Sequence, residues 1–516
     1  MARTSGGRSL VVFSCVLLLI ANCVVRGPVT VKPLDIAEPV RVKSPVKAHL
    51  TDGSTIVYPD GVSVAGGKLM GVGTQFDLTL KEVGRVGEVA LEKVVALESF
   101  ENTPNRGLTA LASGGTTVAV VVGAAVLLKA IFGSCPTVYA DVHGERQLEA
   151  ELFSYSIAPL FEAADVDRLR AKPDANGIIQ LDVRNEALET HYLNQLEVLE
   201  VRHDSDEIVV PDEKGRPLAL RNLSAPAAMV DRRGRDLRPL LDSRDDRVFR
   251  TDAATLGGVT REDLRDSIEL RLPVPPGHDE VALILNLRNS LLNTVLFYDM
   301  MLKRPGARSL DWLSHDLGEI GPALDLASWY SSRMGMRVEI WRDGAYREVT
   351  HIGDTGPIAW KEMAVILPVE AKETTLRVRL SFVADNWRID QIQFATGVRK
   401  PETRSIPIAE VASSDGALDA SAARSLAAAD GNYLQTFPGQ SFRARFDAGV
   451  SSSSRTFLLQ SRGYYTEWVR GSWATPSSPS ATFTPSDEAL LEALVKWRNV
   501  QGDFEARFDA TRIPVR

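Results

Sequence analysis

Strict alternation of apolar and polar residues is the feature that most limits what this chain can fold into. It runs through Leu376–Phe382 and again through Trp387–Phe394. Alternation with a period of two is typical of β-strands that bury one face. A further alternating run, Arg337–Trp341, is followed by Asp343-Gly344, a strong signal for a tight hairpin. We therefore predict a mainly β fold, with a β-sandwich or jelly-roll over residues 261–400.

The first 23 residues are predicted to be an export signal. Two arginines precede the apolar run Leu10–Ala21, an arrangement typical of a secretory signal peptide. The run ends in Ile20-Ala21-Asn22-Cys23, which resembles a bacterial lipobox except at Asn22. Lipidation of Cys23, ordinary cleavage and an uncleaved anchor all remain open. The proline-containing stretch 24–45 is predicted to be an extended linker.

A second apolar run, Thr116–Phe132, lies within residues 114–133. Its length of about 17 residues is at the short end for crossing a bilayer. We predict a transmembrane helix here, and a buried or interface-lying hairpin element is the alternative. Together with the signal, this run predicts an exported, membrane-associated protein of the bacterial cell envelope. Of the three cysteines only Cys135 would remain in the folded body, which leaves no intrachain disulfide.

Turn signals and shifts in composition divide the rest of the chain into modules. Residues 46–102 are predicted to form a small SH3-like β-barrel, because Asp-Gly and Gly-Gly turns separate short strands there. Residues 134–260 are predicted to be a β-rich domain, and residues 261–400 a sandwich of a galactose-binding-like kind. Residues 401–432, rich in Ala, Ser and Asp, are predicted to be a linker. Residues 433–516 are predicted to be a C-terminal β-rich module that ends in a helix.

The charge of the chain argues against nucleic acid as a partner. The formal net charge is −8 and the pI is about 5.6, so no basic surface is indicated. The sequence contains no His-Glu-x-x-His pair, P-loop, dinucleotide-binding glycine motif or Gly-x-Ser-x-Gly elbow. His191 with His203, and Asp242 with Asp245 and Asp246, fit ordinary strand ends and a self-paired loop better than metal sites. We expect no metal and no cofactor.

Tryptophan residues supply the best candidates for a ligand site. Trp329, Trp341, Trp360 and Trp387 lie in the region of the predicted sandwich, with Tyr330 beside the first of them. They either form an aromatic platform for sugar rings or fill the core of the sandwich.

Carboxylates in the same region are candidates for hydrolytic chemistry. Asp385 and Asp390 flank Trp387, and Glu339 belongs to the same predicted sandwich. Paired carboxylates are what a glycosidase uses. Gly353-Asp354-Thr355-Gly356 contains the Asp-Thr-Gly of aspartic proteases, but no second copy accompanies it, so a turn is the preferred interpretation. No catalytic residue is assigned.

Several short motifs resemble segments of uncharacterised bacterial exported proteins. Related segments also occur beside FG-GAP and ASPIC-type repeats in larger extracytoplasmic proteins. The motifs are Ser134–Tyr139, Val183–Tyr192 with Leu196–Leu199, Ala384–Ile392, Arg455–Leu459 and Gly463–Trp468. The resemblance covers most of residues 134–475, although the repeats themselves are absent. It implies an envelope setting and no known activity.

These observations predict a non-catalytic envelope protein that binds or assembles with a protein or a glycan. The alternative is a glycan-acting hydrolase whose carboxylate pair is not recognisable from the sequence. A pocket that holds two carboxylates about 5–10 Å apart would favour hydrolysis. An exposed aromatic patch without acids would favour glycan binding.

Overall fold

The computed structural model describes residues 39–77, 81–99, 136–245, 247–476 and 482–508. The predicted signal with Cys23, the apolar run 114–133 and Cys135 lie outside these ranges. In the part of the chain that the structure describes, no helix is both long and apolar enough to cross a membrane. This part is mainly β, as the alternating runs predict, and its strands form four sheets.

Strands β1 to β27 follow one another along the described chain. In chain order they are β1 (Val40–Val42), β2 (Val46–Leu50), β3 (Thr55–Tyr58), β4 (Val62–Ala65), β5 (Lys68–Phe76), β6 (Glu82–Ala90), β7 (Val94–Ser99), β8 (Thr137–Val142), β9 (Glu145–Glu151), β10 (Ala163–Leu169), β11 (Ile178–Arg184), β12 (Glu189–Arg202), β13 (Ile208–Pro211), β14 (Pro217–Ser224), β15 (Ala228–Asp231), β16 (Arg265–Pro273), β17 (Glu280–Asn289), β18 (Met336–Arg342), β19 (Ala345–Ile352), β20 (Lys361–Pro368), β21 (Thr375–Val383), β22 (Trp387–Arg399), β23 (Thr403–Ser413), β24 (Leu434–Thr436), β25 (Ser441–Asp447), β26 (Arg455–Glu467) and β27 (Val469–Arg470).

Helices connect some of these strands. They are α1 (Arg238–Leu241), α2 (Ala253–Gly257), α3 (Leu292–Val295), α4 (Arg308–Ser314), α5 (Ile320–Met334), α6 (Ala420–Ser425) and α7 (Asp487–Phe508). A π-helical turn over Leu296–Lys303 continues α3. Single 3₁₀ turns lie at Leu91–Lys93, Pro159–Phe161, Asp316–Gly318 and Gly471–Trp473.

The N-terminal sheet has the strand order β1-β4-β5-β3-β2-β7-β27, and β6 pairs with β5. Its last strand comes from the C-terminal part of the chain, with Val469 opposite Leu97. The sheet also takes in Val40–Val42, so the predicted linker 24–45 is wrong at its end, and the sheet extends beyond the predicted module 46–102. Local signals identify a strand, but they do not say which distant segment completes a sheet.

A nine-stranded sheet has the order β10-β26-β12-β23-β25-β11-β8-β9, with β24 beside β12. β12 and β26 pair antiparallel from Glu189 opposite Glu467 to Arg202 opposite Arg455. β23 lies between β12 and β25, so the predicted linker 401–432 is wrong over Thr403–Ser413. β24 to β26 also belong to this sheet rather than to a separate module at 433–516.

Two five-stranded sheets form a β-sandwich that is inserted between β12 and β23. Their orders are β13-β14-β22-β17-β20 and β15-β16-β21-β18-β19. Leu270 and Leu380 of one sheet share a buried core with Leu283 and Ile392 of the other, as the packing of two half-buried sheets requires. The predicted boundary at 260/261 is wrong, because β15 before it pairs with β16 after it.

Helices fill the space between the N-terminal sheet and the sandwich. α3 to α5 come from the connection between β17 and β18, and α7 contacts α3. Val46 and Leu97 of the N-terminal sheet share one buried core with Leu310 of α4 and Trp497 of α7. The modules therefore pack through a common apolar core.

Candidate functional site

A cavity of about 710 Å³ lies where the nine-stranded sheet, the sandwich and the helices meet. β10, β12 and β26 contribute to one wall, and β20 with the loop after β19 contributes to a second. The π-helical turn with α3, α5, the turn between β13 and β14, and the segment between β9 and β10 supply most of the rest. Junctions between modules are common places for ligand sites. We take this cavity as the candidate site.

A buried lysine joins the sandwich to the nine-stranded sheet in the cavity wall. Lys361, the first residue of β20, forms an ion pair with Asp165 of β10, and its Nζ lies 3.2 Å from Asp167 Oδ1. Burial alone would lower the pKa of Lys361, but the two aspartates outweigh it and raise the pKa above its ordinary value. Burial, together with Asp165, raises the pKa of Asp167 to about 7 although Lys361 opposes the shift. The lysine is therefore held as a cation between two acids.

A second acid stands on the loop after β19. Asp354 Oδ2 accepts hydrogen bonds from the Tyr330 hydroxyl, at 2.6 Å, and from the Asn293 amide. Its Oδ1 accepts from the backbone N–H of Gly356 at 2.8 Å. Burial raises the pKa of Asp354, and these three donors reduce the shift without cancelling it. Asp165 lies near enough to add to the increase.

The tripeptide Asp354-Thr355-Gly356 is a turn, as the sequence predicts, and this turn forms part of the cavity wall. Gly356 has a φ of +80°, and a Cβ at this position would lie 2.4 Å from the Glu151 carboxylate. That carboxylate accepts the N–H of Ile358 at 2.7 Å. A glycine is therefore required here, because the acid that fixes the loop occupies the space of a side chain.

Aromatic rings and one unsatisfied acceptor complete the lining. Tyr155, Phe297 and Tyr465 line the cavity, and the Tyr465 hydroxyl donates to Ser154 O at 3.1 Å. Asn293 Oδ1 is buried and has no hydrogen-bond partner among the described residues. Buried polar atoms are rarely left without a partner. The cavity thus offers acceptors beside aromatic faces.

The four predicted tryptophans do not form one platform. Trp387 is fully buried in the sandwich core, so it is wrong as a ligand contact. Trp341 packs against Tyr346 and lies 4.5 Å from the Arg377 guanidinium. Trp360 lies under Arg288, and Trp329 packs against Phe483. The four residues lie on different elements, which explains why they separate: Trp329 on α5, Trp341 on β18, Trp360 in the loop before β20 and Trp387 on β22.

The predicted carboxylates are engaged in structural pairs. Asp385 is 1% exposed, binds Arg388 at 2.8 Å and accepts from Trp497 Nε1. Glu339 forms a bidentate pair with Arg379. Asp390 Oδ1 lies 3.4 Å from the backbone N of Asp245, outside the cavity lining. Asp165 and Asp354, two of the acids that line the cavity, carry no sequence signal beyond the Asp-Thr-Gly turn.

The predicted metal candidates also take structural roles. His191 is buried near the start of β12, whereas His203 follows its end. Twelve residues of extended strand place them roughly 40 Å apart. Asp245 pairs with the neighbouring Arg247, as expected of a self-paired loop, and Asp246 lies outside the described residues. Among the residues that the structure describes, no cluster of His, Cys, Asp and Glu has the arrangement of a metal site.

No family model matches the chain, and no curated protein matches it. Among solved structures, a GH31 α-xylosidase from Xanthomonas citri aligns at 11% identity and a TM-score of 0.15. The alignment covers 83% of this chain and 38% of the xylosidase. A structure of infectious bursal disease virus, Gx strain, aligns at 9% identity over 72% of this chain and 82% of that chain, with a TM-score of 0.16. Neither TM-score indicates a shared fold.

Proposed function

We propose that the protein is a non-catalytic binding protein whose cavity takes a hydroxyl-rich ligand, such as a sugar unit. The observation that carries this proposal is the buried Asn293 Oδ1, an acceptor without a partner among the described residues, beside the Asp354 carboxyl. Hydroxyl groups of a ligand would donate to it, and the rings of Phe297 and Tyr155 would cover apolar C–H faces.

The charge of the lining supports a neutral ligand. More acidic than basic side chains line the cavity, and the basic Lys361 is already paired with Asp165 and Asp167. An anionic ligand would meet Lys361 already engaged by Asp165 and Asp167, and Arg216 paired with Asp212. A polyol or sugar needs no counter-charge.

The proposal retains the expectation that the protein is exported and associated with the bacterial cell envelope. That expectation rests on the sequence of residues 1–23 and 114–133. An envelope glycan, or a protein that carries one, would then be the partner.

Isothermal titration calorimetry of the full chain against a panel of methyl glycosides tests the proposal. Ala327 of α5 lines the cavity and is only half-buried, so Ala327→Trp would fill the space without breaking the helix. We expect this variant to weaken sugar binding by at least about tenfold. Ser328→Trp, on the exposed side of the same helix, is the matched control and should bind as the unchanged protein does. Equal losses in both variants, or no binding by any glycoside, would overturn the proposal.

Glycan hydrolysis is the second candidate function, because two acids of the cavity lie in different surroundings. Burial raises the pKa of Asp354, whereas Asp165 is ion-paired with Lys361. An acid whose pKa is raised, near an acid that is ion-paired, is an arrangement that glycoside hydrolysis can use. Release of nitrophenol from nitrophenyl glycosides measures this activity. We expect Asp354→Asn to lower turnover by ~100-fold or more, with Asp415→Asn, an exposed turn acid, as control. If glycosides bind but are not hydrolysed, hydrolysis is ruled out and sugar binding remains as the proposed function.

A further inference from the structure

Two glutamates face each other beneath the cavity. Glu189 of β12 and Glu467 of β26 are direct cross-strand partners in the nine-stranded sheet. Each side chain is only 1% exposed, and Glu189 lines the cavity. Like charges directly opposite on neighbouring strands destabilise a sheet. Two ionised carboxylates at this position would therefore repel each other in a medium of low dielectric constant.

The groups around the pair supply one cation. Arg470 of β27 binds Glu467, and the Tyr298 hydroxyl donates to Glu467 Oε2 at 3.2 Å. On the other side His191 Nε2 lies 2.7 Å from Glu189 Oε1. Burial lowers the pKa of His191 to about 3, so this imidazole is neutral.

Among the residues that the structure describes, the remaining neighbours of the pair do not supply a second cation. His191 Nδ1 lies 3.2 Å from the Thr436 hydroxyl, and Glu151 adds negative charge near Glu189. Two buried carboxyl groups thus face one guanidinium, and a single proton between the carboxyl groups balances the charge.

In the neighbouring cluster around Glu98, the numbers of acidic and basic groups are equal. Thr190, adjacent to Glu189, donates to Glu98 Oε1 of β7 at 2.8 Å. Glu98 pairs with Lys47 of β2 at 3.2 Å, so this cluster holds one acid and one base. Burial lowers the pKa of His49, which favours its neutral form there. We call Lys47, Glu98, Glu189, Glu467 and Arg470 together the joint.

The joint connects the modules. Glu467 ends β26, and Trp468, Val469 and Arg470 continue directly into β27 of the N-terminal sheet. The Trp468 ring stacks on His49 of β2 with centroids 4.2 Å apart. Any movement that separates Glu467 from Glu189 therefore pulls on the edge of the N-terminal sheet.

We propose that Glu189 and Glu467 share one proton, and that this proton is a latch that holds the N-terminal sheet to the floor of the cavity. Loss of the proton leaves two carboxylates against Arg470, so the pairing of β12 with β26 weakens at this end and β27 is released from β7. The latch is independent of what the cavity binds.

The direction of the pH dependence follows from the geometry. Burial and the charge of Glu467 raise the pKa of Glu189 well above its ordinary value. Its contribution to stability is complete below the pKa of the unfolded chain, near 4.5, and is lost as the pH rises through the folded pKa. Between these limits the folded state holds one more proton than the unfolded state. The folding equilibrium constant then falls by about tenfold per pH unit.

Urea unfolding of the full chain between about pH 7 and 8.5 tests the latch. This window lies above the ordinary histidine pKa, and its upper half lies above the pKa of Asp167, which burial raises to about 7, so the slope is read between about pH 8 and 8.5. We expect the unchanged protein to lose stability with rising pH by up to about tenfold per unit. Glu189→Gln, whose amide donates to Glu467 as the shared proton does, should abolish that slope.

Two further variants make the result decisive. Glu467→Gln should also remove the slope, because one acid then faces one arginine. Glu213→Gln, an acid on the cavity lining that accepts from Thr350, should keep the slope of the unchanged protein. The latch is refuted if the unchanged protein shows no slope or if Glu189→Gln retains it. The measurement uses no ligand, so its failure leaves the proposed sugar binding unaffected.

Discussion

The inserted sandwich and the joint are both buried, but opposite kinds of side chain hold them together. The sandwich core consists of apolar residues such as Leu270, Leu380 and Trp387, which are almost completely buried. The joint consists of Lys47, Glu98 and the Glu189–Glu467–Arg470 group, equally buried and charged. The sandwich gains stability from each apolar area removed from water. The joint gains it only while every charge keeps its partner.

This difference explains how the two regions would respond to change. A core of apolar residues loses stability in proportion to the volume that is removed. A charged joint depends on protonation, because a buried carboxylate without a partner costs several kcal/mol. The apolar core of the sandwich therefore responds to changes of volume, whereas in the joint protonation acts directly on the fold.

The largest effect is expected in the sandwich, from Trp387→Ala. Trp387 is fully buried, and removal of such a ring costs about 3–5 kcal/mol of unfolding free energy. Trp341→Ala removes a partly exposed ring that packs on Arg377, and should cost about 1 kcal/mol. Urea unfolding measures both values. Similar costs for the two variants would contradict the assignment of Trp387 to the core.

A smaller effect is expected at the joint, from Thr190→Val. The change keeps the shape of the side chain and removes the hydroxyl that donates to Glu98 and accepts from Trp468 Nε1. Two buried polar groups lose a partner, which should cost about 1–3 kcal/mol. Thr403→Val, at an exposed strand position, is the control and should change stability by less than about 0.5 kcal/mol.

The acid side of the pH profile sharpens the same comparison. Burial alone would raise the pKa of Glu98, but Lys47 and His49 outweigh it and lower the pKa to about 2. The stability that Glu98 contributes is present above about pH 4.5, its unfolded value, and is lost as the pH falls toward 2. The Thr190→Val variant should lose less stability over this range, because one donor to the carboxylate is missing. If both proteins lose the same amount of stability between about pH 4.5 and 2, the hydrogen bond from Thr190 does not influence the pKa of Glu98.

The sandwich is the region that local sequence signals describe well. The alternation at Leu376–Phe382 falls within β21, Thr375–Val383, and Asp343-Gly344 forms the hairpin between β18 and β19. Both turn residues have positive φ, +49° and +81°, as a two-residue hairpin of this type requires. These features depend on neighbours in sequence, so the sequence alone reveals them.

The joint and the cavity depend on contacts between distant segments, which no local pattern encodes. Glu189 and Glu467 are brought together only by the pairing of β12 with β26. Lys361 meets Asp165 only because β20 lies close to β10 in the fold. Taken alone, Lys361 is an ordinary polar residue at the start of a strand. Asp354 stands out in the sequence because of its Asp-Thr-Gly motif, but its burial beside Tyr330 is visible only in the fold.

The smallest effect is expected where charges are exposed rather than buried. Lys68 and Glu88 form an ion pair at 2.9 Å on the hairpin of β5 and β6, with side chains 50% and 60% exposed. Water and salt screen such a pair, so Lys68→Ala should change the unfolding free energy by at most about 1 kcal/mol. Thermal unfolding at low and high salt measures the change. If Lys68→Ala lowers the unfolding free energy as much as Thr190→Val does, the exposed pair and the buried joint respond alike to the loss of one partner. Burial would then not explain the sensitivity of the joint.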